Sequence, residues 1–313
     1  VRRALTAAAL VLATGLSGCS AAAADRPTVV VTTNILGDIT RNLIGNQAEV
    51  VVLMESNADP HSFGISAQQA AQIENADLII SNGAGLEEGV LNHVEAAAAQ
   101  GVPAIEAMDA IEPITFTHDD DGTTSHSATD GDGGTTDDPH FWTDPGRVAR
   151  ASQALADGII EHVDGVDEGL VRKQTAAYRT KLSVLETSME DSFATIPGDR
   201  RKLITNHHVF GYLAQRFGFD VIGAVIPSGT TLASPSSSDL DDLTGKIRNA
   251  GVVAIFADSS QSQRLAEVLA AEVGTDIDVV PLFTESLGVE GSGADTYLDM
   301  MRANTERIAA ALS

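Results

Sequence analysis

EGLVRKQTAAYRTKLSVLETSMEDSFATI, residues 168–196, carries a single helical pattern from end to end. Its apolar positions Tyr178, Leu182, Leu185, Met189, Phe193 and Ile196 step by four, three, four, four and three, which keeps them on one face of a helix. Pro197 ends the run. At 1.5 Å per residue such a helix is about 40–45 Å long, enough to run the length of two domains. The chain has 313 residues, a length that suits two domains or one large one. Because strand-and-helix alternation lies on both sides of the helix, it reads as a connector and not as a core helix of one domain.

On the N-terminal side, residues 28–32 read as a β-branched strand and 35–44 as a helix. Residues 49–54 follow as a strand, then 66–75 as a helix opened by a serine cap. Residues 77–81 form a buried strand and 87–99 a further helix. On the C-terminal side, 202–205, 221–225, 252–256 and 278–282 read as strands with helices between, and 295–312 as a closing helix. Strands alternating with helical stretches imply βαβ units and parallel sheets. The fold class is therefore α/β: two βα-repeat domains, at 28–166 and 198–313, joined by a long rigid backbone helix at 167–197.

The first eighteen residues have the form of a secretory signal peptide: Arg2 and Arg3, an apolar run from Ala4 to Leu16, then small residues. The run is shorter than the roughly 20 apolar residues a membrane span needs. Leu16-Ser17-Gly18-Cys19 resembles a bacterial lipobox, so Cys19 is expected to be lipidated and to begin a tether at 19–27. Two or more acyl chains give a stable membrane anchor. Cys19 is the only cysteine, which rules out an intrachain disulfide. The expected location is extracytoplasmic, at the cell membrane, as a monomer. Without Arg2 and Arg3 the chain holds 17 basic and 44 acidic residues, a charge of -27. That charge, with a single tryptophan and three tyrosines, argues against a nucleic-acid partner.

Residues 118–138 are of low complexity: seven aspartates, His118, His126 and many Gly, Ser and Thr. With almost nothing apolar to bury, the segment reads as a mobile surface loop. It lacks the ligand spacing of an EF-hand.

Three histidines stand in distinctive settings. His61 follows Asp59-Pro60, after the strand at 49–54. His140 follows Asp138-Pro139 and leads into Phe141-Trp142. His207 lies just past the strand at 202–205 and is expected to begin the helix through Phe210, Tyr212 and Leu213. The proline before His61 and His140 restricts the chain at each. Ligands collect at the carboxyl ends of parallel strands, so the three imidazoles are candidates to converge. Glu285, after the strand at 278–282, would complete a closed tetrahedral set with two groups from each domain. Three imidazoles and a carboxylate suit Zn²⁺ and also admit Mn²⁺, which favours more oxygen.

At these residues the chain resembles the extracytoplasmic solute-binding proteins of zinc and manganese ABC importers, from about Thr28 to Leu312. Asn57-Ala58-Asp59-Pro60-His61-Ser62-Phe63, Asp138-Pro139-His140-Phe141-Trp142, Asn206-His207-His208-Val209-Phe210-Gly211-Tyr212 and Phe283-Thr284-Glu285-Ser286 match that family's successive ligand segments. The resemblance implies a non-enzymatic receptor with its metal in the interdomain cleft on His61, His140, His207 and Glu285. It also implies delivery to an ABC permease and its ATPase. Three departures accompany it. The fourth position is usually aspartate and here is glutamate, and His208 sits beside His207 as a competitor. The 118–138 loop holds more aspartate than histidine where zinc-specific members carry a histidine-rich loop. That loop, in which His118 and His126 are candidates for gathering metal, and the histidine at 207 point to the zinc branch over manganese. Release is expected to involve local movement near Glu285 and this loop.

Two weaker readings belong to other classes. A zinc hydrolase would use the same cluster with Glu285 as a base, but no His-Glu-x-x-His or Gly-x-Ser-x-Gly stretch is present. A cell-adhesion module would need a large exposed apolar patch. Imidazoles bind metal only when neutral, so affinity is expected to fall as pH drops toward the reference histidine pKa of about 6.5.

Overall fold

Alternate residues of each inner strand serve two different cores, and this alternation organises the molecule. The structure, a computed structural model, describes residues 26–118, 124–127, 136–274 and 277–313. The expected leader, Cys19 and most of the tether lie outside the described residues. The first half contains β1 (Thr28–Val31), α1 (Asn34–Ile44), β2 (Glu49–Val52), α2 (Ala67–Glu74), β3 (Leu78–Ser81), α3 (Leu91–Ala99) and β4 (Ala104–Glu106). Its strands pair in the order β2-β1-β3-β4, all parallel. Ser66 and Gln69 form a capping box that starts α2.

Beyond β4 come β5 (Thr115–His118), β6 (Thr124–Ser127) and β7 (Thr136–Asp137), a three-stranded antiparallel sheet in the order β6-β5-β7. The sequence of 118–138 predicts a mobile surface loop, whereas β6 and β7 pair with β5 within it. The want of apolar residues excludes a core, but antiparallel pairing needs only backbone groups, and β-branched threonines favour it. His118 and His126 fall on β5 and β6, and their side chains lie outside what the structure describes.

Two further helices follow, one of them the helix read from sequence. α4 (Pro145–His162) was not anticipated, although Asp144 caps it and Pro145 occupies its first position. α5 (Glu168–Ala194) is the expected long helix, 27 residues and hence about 40 Å long, capped by Asp167. The second half then runs β8 (Lys202–Thr205), α6 (Gly211–Phe217), β9 (Asp220–Ala224), α7 (Ser237–Ala250), β10 (Ala254–Asp258), α8 (Arg264–Val273), β11 (Asp278–Leu282) and α9 (Tyr297–Leu312). Its strands pair in the order β11-β10-β8-β9, again all parallel. Numbered from the first strand of each half, both sheets have the same order, two-one-three-four.

The side chains of Val29, Val31, Leu78 and Ile80 face a core that also takes Leu203, Ala254 and Phe256 of the second half. Val30 and Ile79 face an outer core under α2 and α3, and Ile204, Ile255 and Ala257 another under α7 and α8. The inner core is continuous across both halves, with α5 in it: Val171, Tyr178, Leu182, Leu185, Met189 and Phe193 are all buried there. The stripe read from sequence is thus both connector and core. Among the described residues no helix is long and apolar enough to cross a membrane.

Candidate metal centre

Each of the four singled-out residues is carried by a turn between regular elements. His61 lies in the segment from β2 to α2. There the Asp59 carboxylate accepts the His61 backbone N–H at 2.9 Å, and the Phe63 N–H returns to the Asp59 carbonyl at 3.0 Å. Asn57 opens this turn at φ 59°, a region asparagine tolerates. His140 repeats the device: Asp138 accepts the His140 backbone N–H, also at 2.9 Å. In both turns the aspartate closes a local ring; the sequence reading gave that role to the proline alone. At His140 the same oxygen also meets the ring Nδ1, at 2.7 Å. The Tyr212 hydroxyl donates to the Asp138 carbonyl at 2.6 Å, and Asn82 to the Pro139 carbonyl at 3.0 Å, fixing the turn from both sides.

His207 sits in the turn after β8, with its carbonyl accepting from the Thr205 hydroxyl at 2.6 Å. It does not begin a helix, as the sequence suggested, because α6 starts only at Gly211. Glu285 follows β11 and is held by neighbours from the first half. Trp142 donates to the Thr284 carbonyl at 2.8 Å, and Asn34 bonds the Ser286 hydroxyl at 2.8 Å and the Leu287 N–H at 2.9 Å.

These turns bring His61, His140, His207 and Glu285 together, none more than 2% exposed. Glu285 Oε1 lies 3.0, 3.2 and 3.1 Å from Nε2 of His61, His140 and His207. His140 Nε2 is 3.4 Å from each of the other two Nε2 atoms. His208 is buried beside them but is not part of this group. Asp138 accepts the Nδ1–H hydrogen bond of His140, so once the ring gives up its other proton to an incoming ion, Nε2 presents a lone pair. With the imidazoles deprotonated at Nε2, four donor atoms face a common centre, and Glu285 Oε2 is buried with no hydrogen-bond partner. A cation at that centre removes the mutual repulsion and satisfies the buried carboxylate.

The electrostatics point the same way. Burial disfavours charge on His140, but Asp138 and then Glu285 outweigh it and push the pKa up to about 9. Burial lowers that of His207, Glu285 opposes this only in part, and the other two imidazoles add to the lowering. Burial would raise Glu285, yet His207, His61 and the imidazole hydrogen bonds hold it well below the usual carboxylate range. The carboxylate therefore stays charged. Its Oε1 faces all three imidazoles, which removes the basis for assigning it as a hydrolytic base.

Two lobes around a buried, ion-sized cluster, with two groups from each, define a receptor that sequesters a metal ion. Residues 29–311 match the family model described as zinc-uptake complex component A, periplasmic, and the chain belongs to that family. The manganese ABC transporter substrate-binding lipoprotein PsaA of Streptococcus pneumoniae is 27% identical, over 96% of this chain and 94% of its own. The zinc-binding protein TroA of Treponema pallidum is 26% identical, over 95% and 92%. In fold, the structure of the periplasmic zinc-binding protein TroA from Treponema pallidum gives a TM-score of 0.79 at 24% identity, covering 92% of this chain and 99% of that one. A manganese-bound periplasmic metal-binding protein from Candidatus Liberibacter asiaticus gives 0.77 at 24% identity, covering 92% and 100%. The chain is thus a non-enzymatic, extracytoplasmic metal-binding component of an ABC importer, a role that implies a permease and its ATPase as partners. Sequence reasoning missed Asp138, Asn34 and Trp142 as supports of the site. The repeated Asp-Pro-His was the one available signal, and it bears only on Asp138.

Proposed function

We propose that this protein captures Zn²⁺ outside the cytoplasm and delivers it to its permease, with His61, His140, His207 and Glu285 as the four ligands. The spacing of the cluster carries the reading. A tetrahedron with metal bonds of about 2.0–2.1 Å has edges of about 3.3–3.4 Å. Five of the cluster's edges measure 3.0–3.4 Å. Four-coordinate nitrogen-rich sites suit zinc, whereas manganese favours a larger oxygen share. Glu285 offsets one of the two metal charges. The named relatives include both a manganese and a zinc binder, so the choice rests on the donor set and its spacing.

The same reading takes Cys19 as a lipidated anchor after a leader at 1–18. It takes 28–166 and 198–313 as two domains on the 167–197 connector, in a monomer. Competition titration of the metal-stripped protein with Zn²⁺ and Mn²⁺ is the test. One tight zinc per chain, far weaker manganese and loss of binding in His61→Ala are expected. Comparable manganese binding would overturn the zinc assignment and leave the importer role standing.

A further inference from the structure

The two Asp-Pro-His turns share the hydrogen bond from the histidine N–H to the aspartate but spend their carboxylates differently. In the second, the oxygen that holds the His140 N–H also holds that residue's own ring. In the first, Asp59 Oδ1 holds the His61 N–H, while Oδ2 accepts from Ser62 Oγ at 2.9 Å, Thr231 Oγ1 at 2.6 Å and Gln261 Nε2 at 2.8 Å. Ser62 is local. Thr231 and Gln261 come from the opposite half, in the segments between β9 and α7 and between β10 and α8. The segment bearing Thr231 is in turn tied to the turn of His207: Ile226 N–H donates to the Asn206 carbonyl at 2.8 Å and His208 N–H to the Ser228 carbonyl at 2.9 Å. Its neighbour Thr230 donates to Glu88 of the first half at 3.1 Å.

We propose that Asp59 is a positioning residue for the metal: it sets His61 in place and, through Thr231 and Gln261, clasps the His61 turn to the half that carries His207 and Glu285. This rests on the reading of the four-residue cluster as a metal site. Opening the site separates His61 from His207 and Glu285, so it must break the bonds that Asp59 makes across the cleft. Hydrogen bonds to a charged acceptor are stronger than neutral ones, and Asp59 is only 9% exposed, so water competes poorly for it. The clasp controls how long the ion stays, and the four ligands determine whether it binds.

Thr231→Val removes the donor, keeps the side-chain shape and lies outside the cluster. Zinc release into excess chelator, followed by stopped flow on the zinc-loaded protein, should quicken about tenfold in this variant, the effect of losing one bond to a charged group. One-to-one binding and the metal-free melting temperature should change little. Thr231→Ser, which restores the hydroxyl, should return release to the wild-type rate, and Asp59→Asn should quicken it further. Wild-type release in Thr231→Val, or failure of Thr231→Ser to restore it, would overturn the clasp. Amide hydrogen exchange of the metal-free protein gives an independent reading, since Thr231→Val should speed exchange over residues 57–63. Unchanged exchange there would also overturn the clasp. Absence of one-to-one zinc binding in the wild type would instead strike the metal assignment, leaving the exchange result to judge the clasp.

Discussion

At His140 two opposing effects are resolved by one neighbour. Burial alone would keep the ring neutral, but Asp138 at 2.7 Å and Glu285 push its pKa up to about 9. The metal-free ring is therefore protonated at pH 7.5, and an incoming ion must expel that proton. About one proton per zinc from this residue is expected at pH 7–8, falling away above pH 9. Calorimetry in buffers of different ionisation enthalpy measures the count. The pH range in which affinity weakens thus starts higher than the 6.5 expected from the free imidazole. Asp138→Asn should lower both the proton count and the zinc affinity, the latter about 10–100-fold, as is usual when a ligand's outer hydrogen-bond partner is lost. For stability the sign is fixed by the same shift. A pKa raised above that of the unfolded chain contributes stability below about 6.5 and loses it as pH rises through about 9.

Among the elements, α5 shows most directly how pattern becomes packing. Leu185 is 1% exposed within the shared core, whereas Val184, one position away, is 62% exposed. Leu185→Ala should cost about 2–5 kcal/mol through lost burial and a residual cavity. Val184→Ala should stay within about 0.5 kcal/mol. Urea unfolding followed by circular dichroism separates the two. The stripe was legible because long, regular apolar spacing admits one secondary structure. β4 is three residues long with a mostly exposed pattern and writes no period, whereas α4 does repeat Val148, Ala151, Leu155, Ala156 and Ile159 at helical spacing after its Asp-Pro start, a signal the alternation of strands and helices did not use. The sheet of β5, β6 and β7 rests on backbone pairing between short segments whose only apolar residue is Phe116, which composition does not register.

On the scale of the whole molecule, the continuous core around α5 limits what the halves can do. A wide hinge would have to expose part of that core, at roughly 25 cal/mol per Å² of apolar surface. Metal release is therefore expected through small displacements of the ligand turns. A pair of structures, metal-bound and metal-stripped, should show little rotation between the halves. A large interdomain rotation would contradict this. Ties such as Trp142 to Thr284 and Asn34 to Ser286 cross between halves beside the site, so small motions there act directly on Glu285.

The alternation of strands and helices, the long connector, and the four residues of the cluster were all readable from the chain. Each is written locally, as a period, a cap or a short motif. The shared sheet order, the single inner core and the assignment of Asp59, Asp138 and Asn34 were not. These depend on which turns meet, and Asn34 and Ser286 are 252 positions apart. A carboxylate between two candidate partners looks the same in sequence whichever it takes. Only the folded chain brings Asp138 to the ring of its own histidine and Asp59 to the opposite half. The physical reason is that hydrogen bonds and charge act over a few ångströms of space, while sequence records only distance along the chain.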